Sequence, residues 1–243
     1  MKPLQHAQIS AKTYGGIWTD YIELHNFLDS SKASCAHFKH RFLLHHAEGI
    51  ELAVSLFGEQ ITNSAGQTIS IRRILTDHLI EDVGKIVSIE DWARDLMPKN
   101  DTPFYQFLAK KRAQIEANVI KGESDLLDAF NLSDKDISAV KAFLAFPLKQ
   151  STHPAALLFS HNSFAIFLAE KLLGVALTKN SNNTNQDNAK KQLVATREVF
   201  ERLVFIRMKV IYSPAEIIVR TVETDWMRGK NSEKKRLATA RIN

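Results

Sequence analysis

Hydrophobic positions along most of this chain recur at helical spacing. In residues 20–31, Tyr21, Leu24, Phe27 and Leu28 share one face and Asp20 is placed to cap, which predicts a first helix. From Ala33 to Phe57 the series Phe38, Phe42, Leu43, Ile50, Leu52, Ala53 and Leu56 runs without proline to a stop at Gly58, predicting one long second helix. Residues 61–71 alternate around Ser64, Ala65 and Gly66, the pattern of a short β-hairpin near residues 60–71. Ile71 to Val83 reads as a helix closed by Gly84, and Ser88 with Asp91 forms a capping box for a short helix through Trp92 to Leu96. Pro98 and the polar run after it mark a boundary between domains 1–98 and 99–243.

Beyond the boundary, Thr102-Pro103 opens a helix closed by Gly122, since proline in the first turn loses no helical bond. Ser133 with Asp136 starts another, which Pro147 interrupts, and His153 to Leu173 forms a long helix ended by Gly174. The asparagine-rich stretch 179–188 reads as a surface loop. A helix from Lys190 to Tyr212 follows, and Ser213, Pro214 and Glu216 cap a last one that ends near Gly229.

The two halves align with one another. At an offset of 116, His37 falls on His153, His45 on His161, Phe27 on Phe143 and Gly58 on Gly174. The C-terminal half has two histidines, and both land on histidines. Further on, Asp91-Trp92-Ala93-Arg94 recurs as Asp225-Trp226-Met227-Arg228, which would put Trp92 and Trp226 in equivalent cores. The expected fold is therefore mainly α, with two helical subdomains related as a degenerate tandem repeat and a short β-hairpin. The competing reading is a chance alignment of amphipathic helices. In a true repeat His25, Asp29, His40 and His46 face Lys141, Ala145, Ala156 and Asn162, so the second copy has lost polar groups.

Composition narrows the class without naming a function. With 44% hydrophobic and 24% charged residues the chain is globular. No apolar run is long enough to cross a bilayer, and MKPLQHAQIS has no apolar core of a secretory signal. Cys35 is the single cysteine, consistent with a reducing compartment and an expected cytoplasmic location, and it reads as buried and inert. Charge is uneven: residues 1–98 carry 9 basic and 12 acidic side chains, residues 99–243 carry 23 and 15. The basic stretch from Arg228 to Arg241 reads as a solvated tail, dispensable for folding, or as a contact for nucleic acid or an acidic protein.

Histidine supplies the chemistry. Seven of nine lie in the first 78 residues. His25/Asp29 and His78/Asp82 are spaced i, i+4, so each pair leaves one helical face. His37 and His40 lie i, i+3, and His45 follows. Imidazoles and carboxylates from several helices are suited to zinc, iron or manganese, and the expected ligands are a subset of His25, His37, His40, His45, His78 and Asp82. His46, next to His45, should face elsewhere. Two other readings stay open: histidines that only satisfy core hydrogen bonds, and acid–base chemistry without a metal. No phosphate-binding loop, G-x-S-x-G or H-E-x-x-H is present.

The ordered segments HAQISAKTYGG, DYIELHNFLDSSK, HRFLLHHAEGIELA, ITNSAGQ and DHLIEDVGKIVSIEDW make residues 6–97 resemble a small, uncharacterised His-rich family of bacterial and phage domains. The resemblance implies one folding unit whose His and Asp positions belong together, and it implies no activity. Ile86-Val87-Ser88 departs from the family pattern, which has proline before the capping serine; the departure touches only a loop. The leading expectation is a soluble helical protein with a divalent-metal site in its N-terminal domain; whether it is an enzyme stays open, and as an enzyme it would use metal-activated water against a phosphoester or amide, with Asp29 or Asp82 as the general base. The rival is a non-catalytic phage or mobile-element accessory protein whose basic C-terminal half contacts nucleic acid or an acidic partner.

Overall fold

Pro3 sits in the first turn of α1 (Pro3–Tyr14) in the computed structural model, which describes residues 1–180 and 192–229. This helix has no strong apolar stripe, and the residues it buries are His6, Ala7 and Ser10. α2 (Ile22–Asp29) follows where the spacing of Leu24, Phe27 and Leu28 requires it. The described chain separates into two compact units, Met1–Leu96 together with the chain from Thr221 onward, and Met97–Arg220.

The long second helix expected over 33–57 does not form. Two 3₁₀ turns, Ser30–Ala33 and Phe38–Leu43, precede α3 (Ala47–Phe57). Histidine rings make the breaks. His37 Nδ1 accepts the Lys39 N–H at 3.1 Å, and His46 Nδ1 accepts the Gly49 N–H at 3.0 Å, so each imidazole does the work of an N-cap on an extended residue. The Leu44 carbonyl then folds against Gly49 so closely that a Cβ there would lie 2.0 Å from its oxygen.

β1 (Gln60–Thr62) and β2 (Thr68–Ser70) form the expected antiparallel hairpin, with Ile61 opposite Ile69. Asn63 closes it by accepting the N–H groups of Ala65 and Gln67, and its Nδ2 donates to the Tyr14 carbonyl and the Tyr21 hydroxyl. α4 (Ile71–Val83) ends at Gly84 in the left-handed conformation, and α5 (Ile89–Leu96) starts from the Ser88–Asp91 box. Leu24, Leu28, Phe42, Ile74, Leu79 and Trp92 fill the space between these helices. A 3₁₀ turn, Asp225–Arg228, completes this unit. Its Trp226 packs on Trp92 with ring centroids 4.6 Å apart and donates to Asp95, and Met227 is fully buried. The two tryptophans are partners in one core and do not occupy equivalent places in two, because the chain returns to the first unit after Arg220.

In the second unit Thr102 caps α6 (Pro103–Glu116), followed by α7 (Glu123–Phe130) and α8 (Asp134–Gln150). α8 continues through Pro147, contrary to expectation: the proline lies in the last turn, where its missing N–H removes one bond near an end that frays anyway. The segment expected to be one helix from His153 to Leu173 is divided into a 3₁₀ turn (Pro154–Ala156), α9 (Leu157–Ser160) and α10 (Ser163–Leu173). Asn162 makes the last break by accepting the N–H groups of Phe164 and Ala165. β3 (Ala176–Thr178) pairs antiparallel with β4 (Leu193–Ala195), so α11 (Thr196–Met208) starts later than the apolar pattern implied. α12 (Pro214–Arg220) ends well before Gly229. Lys190, nearly all of the asparagine-rich stretch and the basic residues after Gly229 lie outside the described residues.

Both units carry a 3₁₀ turn, a helix, an antiparallel strand pair, a helix and a short helix started by a serine box in that order, with α9 added after the 3₁₀ turn in the second. Among the described residues no helix is long and apolar enough to cross a membrane. Gly49→Ala should destabilise the first unit by about 1–3 kcal/mol in urea unfolding, because the clash is with backbone and no rotamer relieves it. A variant as stable as the parent would show that the α3 entry is loose.

Candidate metal centre

Four segments deliver donors to one place in the first unit. α1 brings His6, α2 brings His25 and Asp29, the bend before α3 brings His45, and α4 brings His78 and Asp82. The i, i+4 pairs work as their spacing requires, each donor pair leaving one face of its helix. All six side chains are buried, none more than 4% exposed. His45 is held at its backbone, where Trp92 Nε1 donates to its carbonyl at 2.9 Å.

Asp29, His45, His78 and Asp82 form one candidate ligand group. His45 Nε2 lies 3.1 Å from His78 Nε2, 3.4 Å from Asp82 Oδ2 and 3.5 Å from Asp29 Oδ1, and His78 Nε2 lies 3.8 Å from Asp82 Oδ2. Donors held 2.0–2.2 Å from an ion stand about 3.4 Å apart on a tetrahedron and about 3.0 Å apart along an octahedral edge. The spacings match such a polyhedron. His6, His25 and His78 form a second group. In it His25 Nδ1 and His78 Nδ1 are 2.8 Å apart, and the His6 ring stacks on His78 with centroids 3.8 Å apart.

Several of these buried atoms make no hydrogen bond: both oxygens of Asp29, Asp82 Oδ2, His45 Nδ1 and His6 Nε2. Buried polar atoms are nearly always satisfied, so their concentration here is the strongest sign of a cation-binding place. Asp82 also has charged neighbours, Arg41 at 3.2 Å from Oδ2 and the Met1 amino group at 2.5 Å from Oδ1.

Protonation favours ligation. Burial pushes the imidazoles of His25 and His40 down to about 3 and that of His78 well below its ordinary value, which keeps them in the neutral, metal-binding form near neutral pH. His6 moves the other way: burial lowers it, but the nearby Asp82 carboxylate and the Glu81 contact more than compensate. Burial would raise the Asp82 carboxyl, yet the imidazoles of His45 and His6 within 3.4 Å and the charge of Arg41 hold it far below the usual carboxylate range. Asp82 is therefore a strong ligand and a poor base.

Of the residues singled out in the sequence, His25, Asp29, His45, His78 and Asp82 meet. His40 stands beside them, its ring centroid 5.5 Å from that of His45, but its Nδ1 lies 2.9 Å from Ser31 Oγ and it belongs to neither group. His37 is half-buried in its capping role, and His46 caps α3 with its Nε2 3.2 Å from the Leu43 carbonyl, facing away as expected. Cys35 is partly exposed and not buried as expected. His6 was missed because α1 lacks the apolar periodicity that would have placed it; Pro3 in the first turn was the available signal.

Residues 1–101 match a domain of unknown function, DUF6915. The match agrees with the resemblance seen in the segments from His6 to Trp92, and it covers every donor of both groups. No curated protein and no solved structure matches the chain.

In the second unit the residue 116 positions after His45 is His161, fully buried, with Arg207 Nη1 donating to its Nε2 at 3.3 Å. Arg207 also forms a bidentate pair with Glu123. Burial, with the nearby Arg207 charge, pulls His161 down to about 3. The unfolded chain takes up this proton near 6.5 and the folded chain only near 3, so stability must fall as pH drops through that interval. Between pH 6.5 and 4 the share of the loss from His161 should be on the order of 3 kcal/mol, and His161→Gln should make the acid slope shallower by that share in thermal scans across pH, leaving the shares of His25, His40 and His78. An unchanged acid slope in that variant would move the effect to other groups.

Proposed function

We propose that the first unit binds a divalent transition metal ion through Asp29, His45, His78 and Asp82. The observation that carries this is the convergence of four buried donors at ligand-polyhedron spacings with oxygens that make no hydrogen bond. Two imidazoles and two carboxylates suit zinc, iron or manganese and discriminate against calcium and magnesium. His37 and His40 are left out of the ligand set.

The catalytic reading is hydrolysis of a phosphoester by metal-activated water, with Asp29 holding the ion through Oδ1, the oxygen that faces His45, and serving as the base through Oδ2. Both carboxyls are held below the usual range, but Asp82 much further, and the charged neighbour of Asp29 Oδ2 is the exposed Lys32, at 3.9 Å. The reading as an accessory protein for nucleic acid or an acidic partner has the charge of residues 99–243 behind it, and much of that charge lies beyond Gly229.

The second unit reads as a degenerate copy that has lost this chemistry. Besides the element order, α11 starts 125 residues after α4, which sets Leu203 against His78 and Arg207 against Asp82. With Ala145 at the position of Asp29, three of the four donors are gone. Arg207 then supplies to His161 the positive partner that a metal would supply to His45.

Elemental analysis of the chain expressed with added zinc, manganese or iron and freed of loose metal should find bound metal. His78→Ala should abolish retention, and His46→Ala should keep it while costing about 1 kcal/mol at the α3 cap. Metal-free wild-type protein after supplementation would end the proposal. For catalysis, the loaded protein should hydrolyse a chromogenic phosphodiester, and Asp29→Asn should slow it by about 100-fold or more. A loaded protein without turnover would leave the metal a structural role.

A further inference from the structure

His78 belongs to both ligand groups through different ring atoms. Its Nε2 faces His45 Nε2 at 3.1 Å, and its Nδ1 faces His25 Nδ1 at 2.8 Å. Asp82 also spans the two: Oδ2 lies 3.4 Å from His45 Nε2 and Oδ1 lies 3.3 Å from His6 Nε2. Resting on the metal reading above, the geometry points to a two-metal centre, with His78 as a bridging imidazolate, Asp82 as a bridging carboxylate, and His6 and His25 as the further ligands of the second ion.

The outer nitrogens of those two histidines support the assignment. His6 Nδ1 lies 2.5 Å from Glu81 Oε2, and His25 Nε2 lies 2.9 Å from Ser10 Oγ. A carboxylate can only accept, so Glu81 fixes the N–H of His6 on Nδ1 and leaves the Nε2 lone pair for the site, and a hydroxyl such as Ser10 can accept the outer N–H of His25 in the same way. In both residues the inner nitrogen, His6 Nε2 or His25 Nδ1, is the one turned towards Asp82 or His78. Glu81 adds negative charge on this side, which a second cation needs.

Without a metal, one proton held between His25 and His78 and another between His78 and His45 also explains the short nitrogen contacts. That relay leaves His6 Nε2 and Asp82 Oδ2 without hydrogen bonds. A second ion satisfies the former. Its entry has a definite balance: neutral His78 carries one N–H, both ring nitrogens bind metal in the bridged form, and the displaced proton goes to the buffer.

The experiment uses the whole chain, stripped of metal and then loaded with Zn(II) and, in parallel, Cu(II). Two equivalents of Zn(II) should be retained, with about one more proton released on the second than on the first, measured calorimetrically in buffers of different ionisation enthalpy. At two equivalents of Cu(II) the electron paramagnetic resonance signal should fall well below twice the one-equivalent intensity, as spins coupled through one imidazolate require. His25→Ala and His6→Gln should each retain one equivalent and show an uncoupled copper signal; two variants guard against the failure of either to fold. Retention of a single equivalent by the wild-type chain would overturn the bridge and leave the one-metal reading standing. Retention of none would overturn both. Two equivalents kept by His25→Ala and His6→Gln alike would place the second ion elsewhere and likewise overturn the bridge.

Discussion

Burying six ionisable side chains at one place is costly unless their lone pairs and charges find partners, and the first unit is arranged around that requirement. Both oxygens of Asp29 and Oδ2 of Asp82 are shut away from water without a hydrogen bond, beside imidazole nitrogens that face them. Leaving such groups unpaired costs several kcal/mol in ordinary cores. A divalent cation held there would resolve the conflict directly, because it would remove carboxylate repulsion and accept the imidazole lone pairs together. Leu24, Leu28, Leu79 and Trp92 exclude water, and that exclusion makes a bound ion's charge effective.

The backbone is shaped to the same end. A continuous helix over 33–57 would turn His45 and His46 about 100° apart and fix both to one helical rod. The two capping histidines stop that helix. His46 spends its ring on the Gly49 N–H, and His45 sits in a bend whose carbonyl is held by Trp92, so its ring is aimed between α2 and α4. Histidines in this segment therefore divide their work: His37 and His46 shape the chain, His40 leans on Ser31, and His45 alone reaches the carboxylates.

The second unit solves the corresponding problem with a side chain. His161 is as deeply buried as His45, and the guanidinium of Arg207, neutralised on its other edge by Glu123, occupies the side of the ring where a cation would otherwise be expected. A tethered cation needs no supply of metal and pre-pays its own ordering. A guanidinium offers no coordination position at this ring.

Sequence by itself determined what is local. Periodicity and capping residues located α4, α5 and the hairpin near residues 60–71, since Gly84, the Ser88–Asp91 box and the Asn63–Gly66 turn act within a few residues of themselves. The i, i+4 rule likewise fixed that His25 shares a face with Asp29 and His78 with Asp82. Tertiary structure decided which faces meet. His6 was invisible because α1 is held by what it packs against and carries no stripe of its own, and Trp226 joined Trp92 through a chain return that no local pattern encodes. The fate of the histidine run 37–46 was also settled non-locally. Each ring there can cap, pack or ligate at similar local cost, and only the position of α2, α4 and α5 around His45 selects the one that faces Asp29 and Asp82.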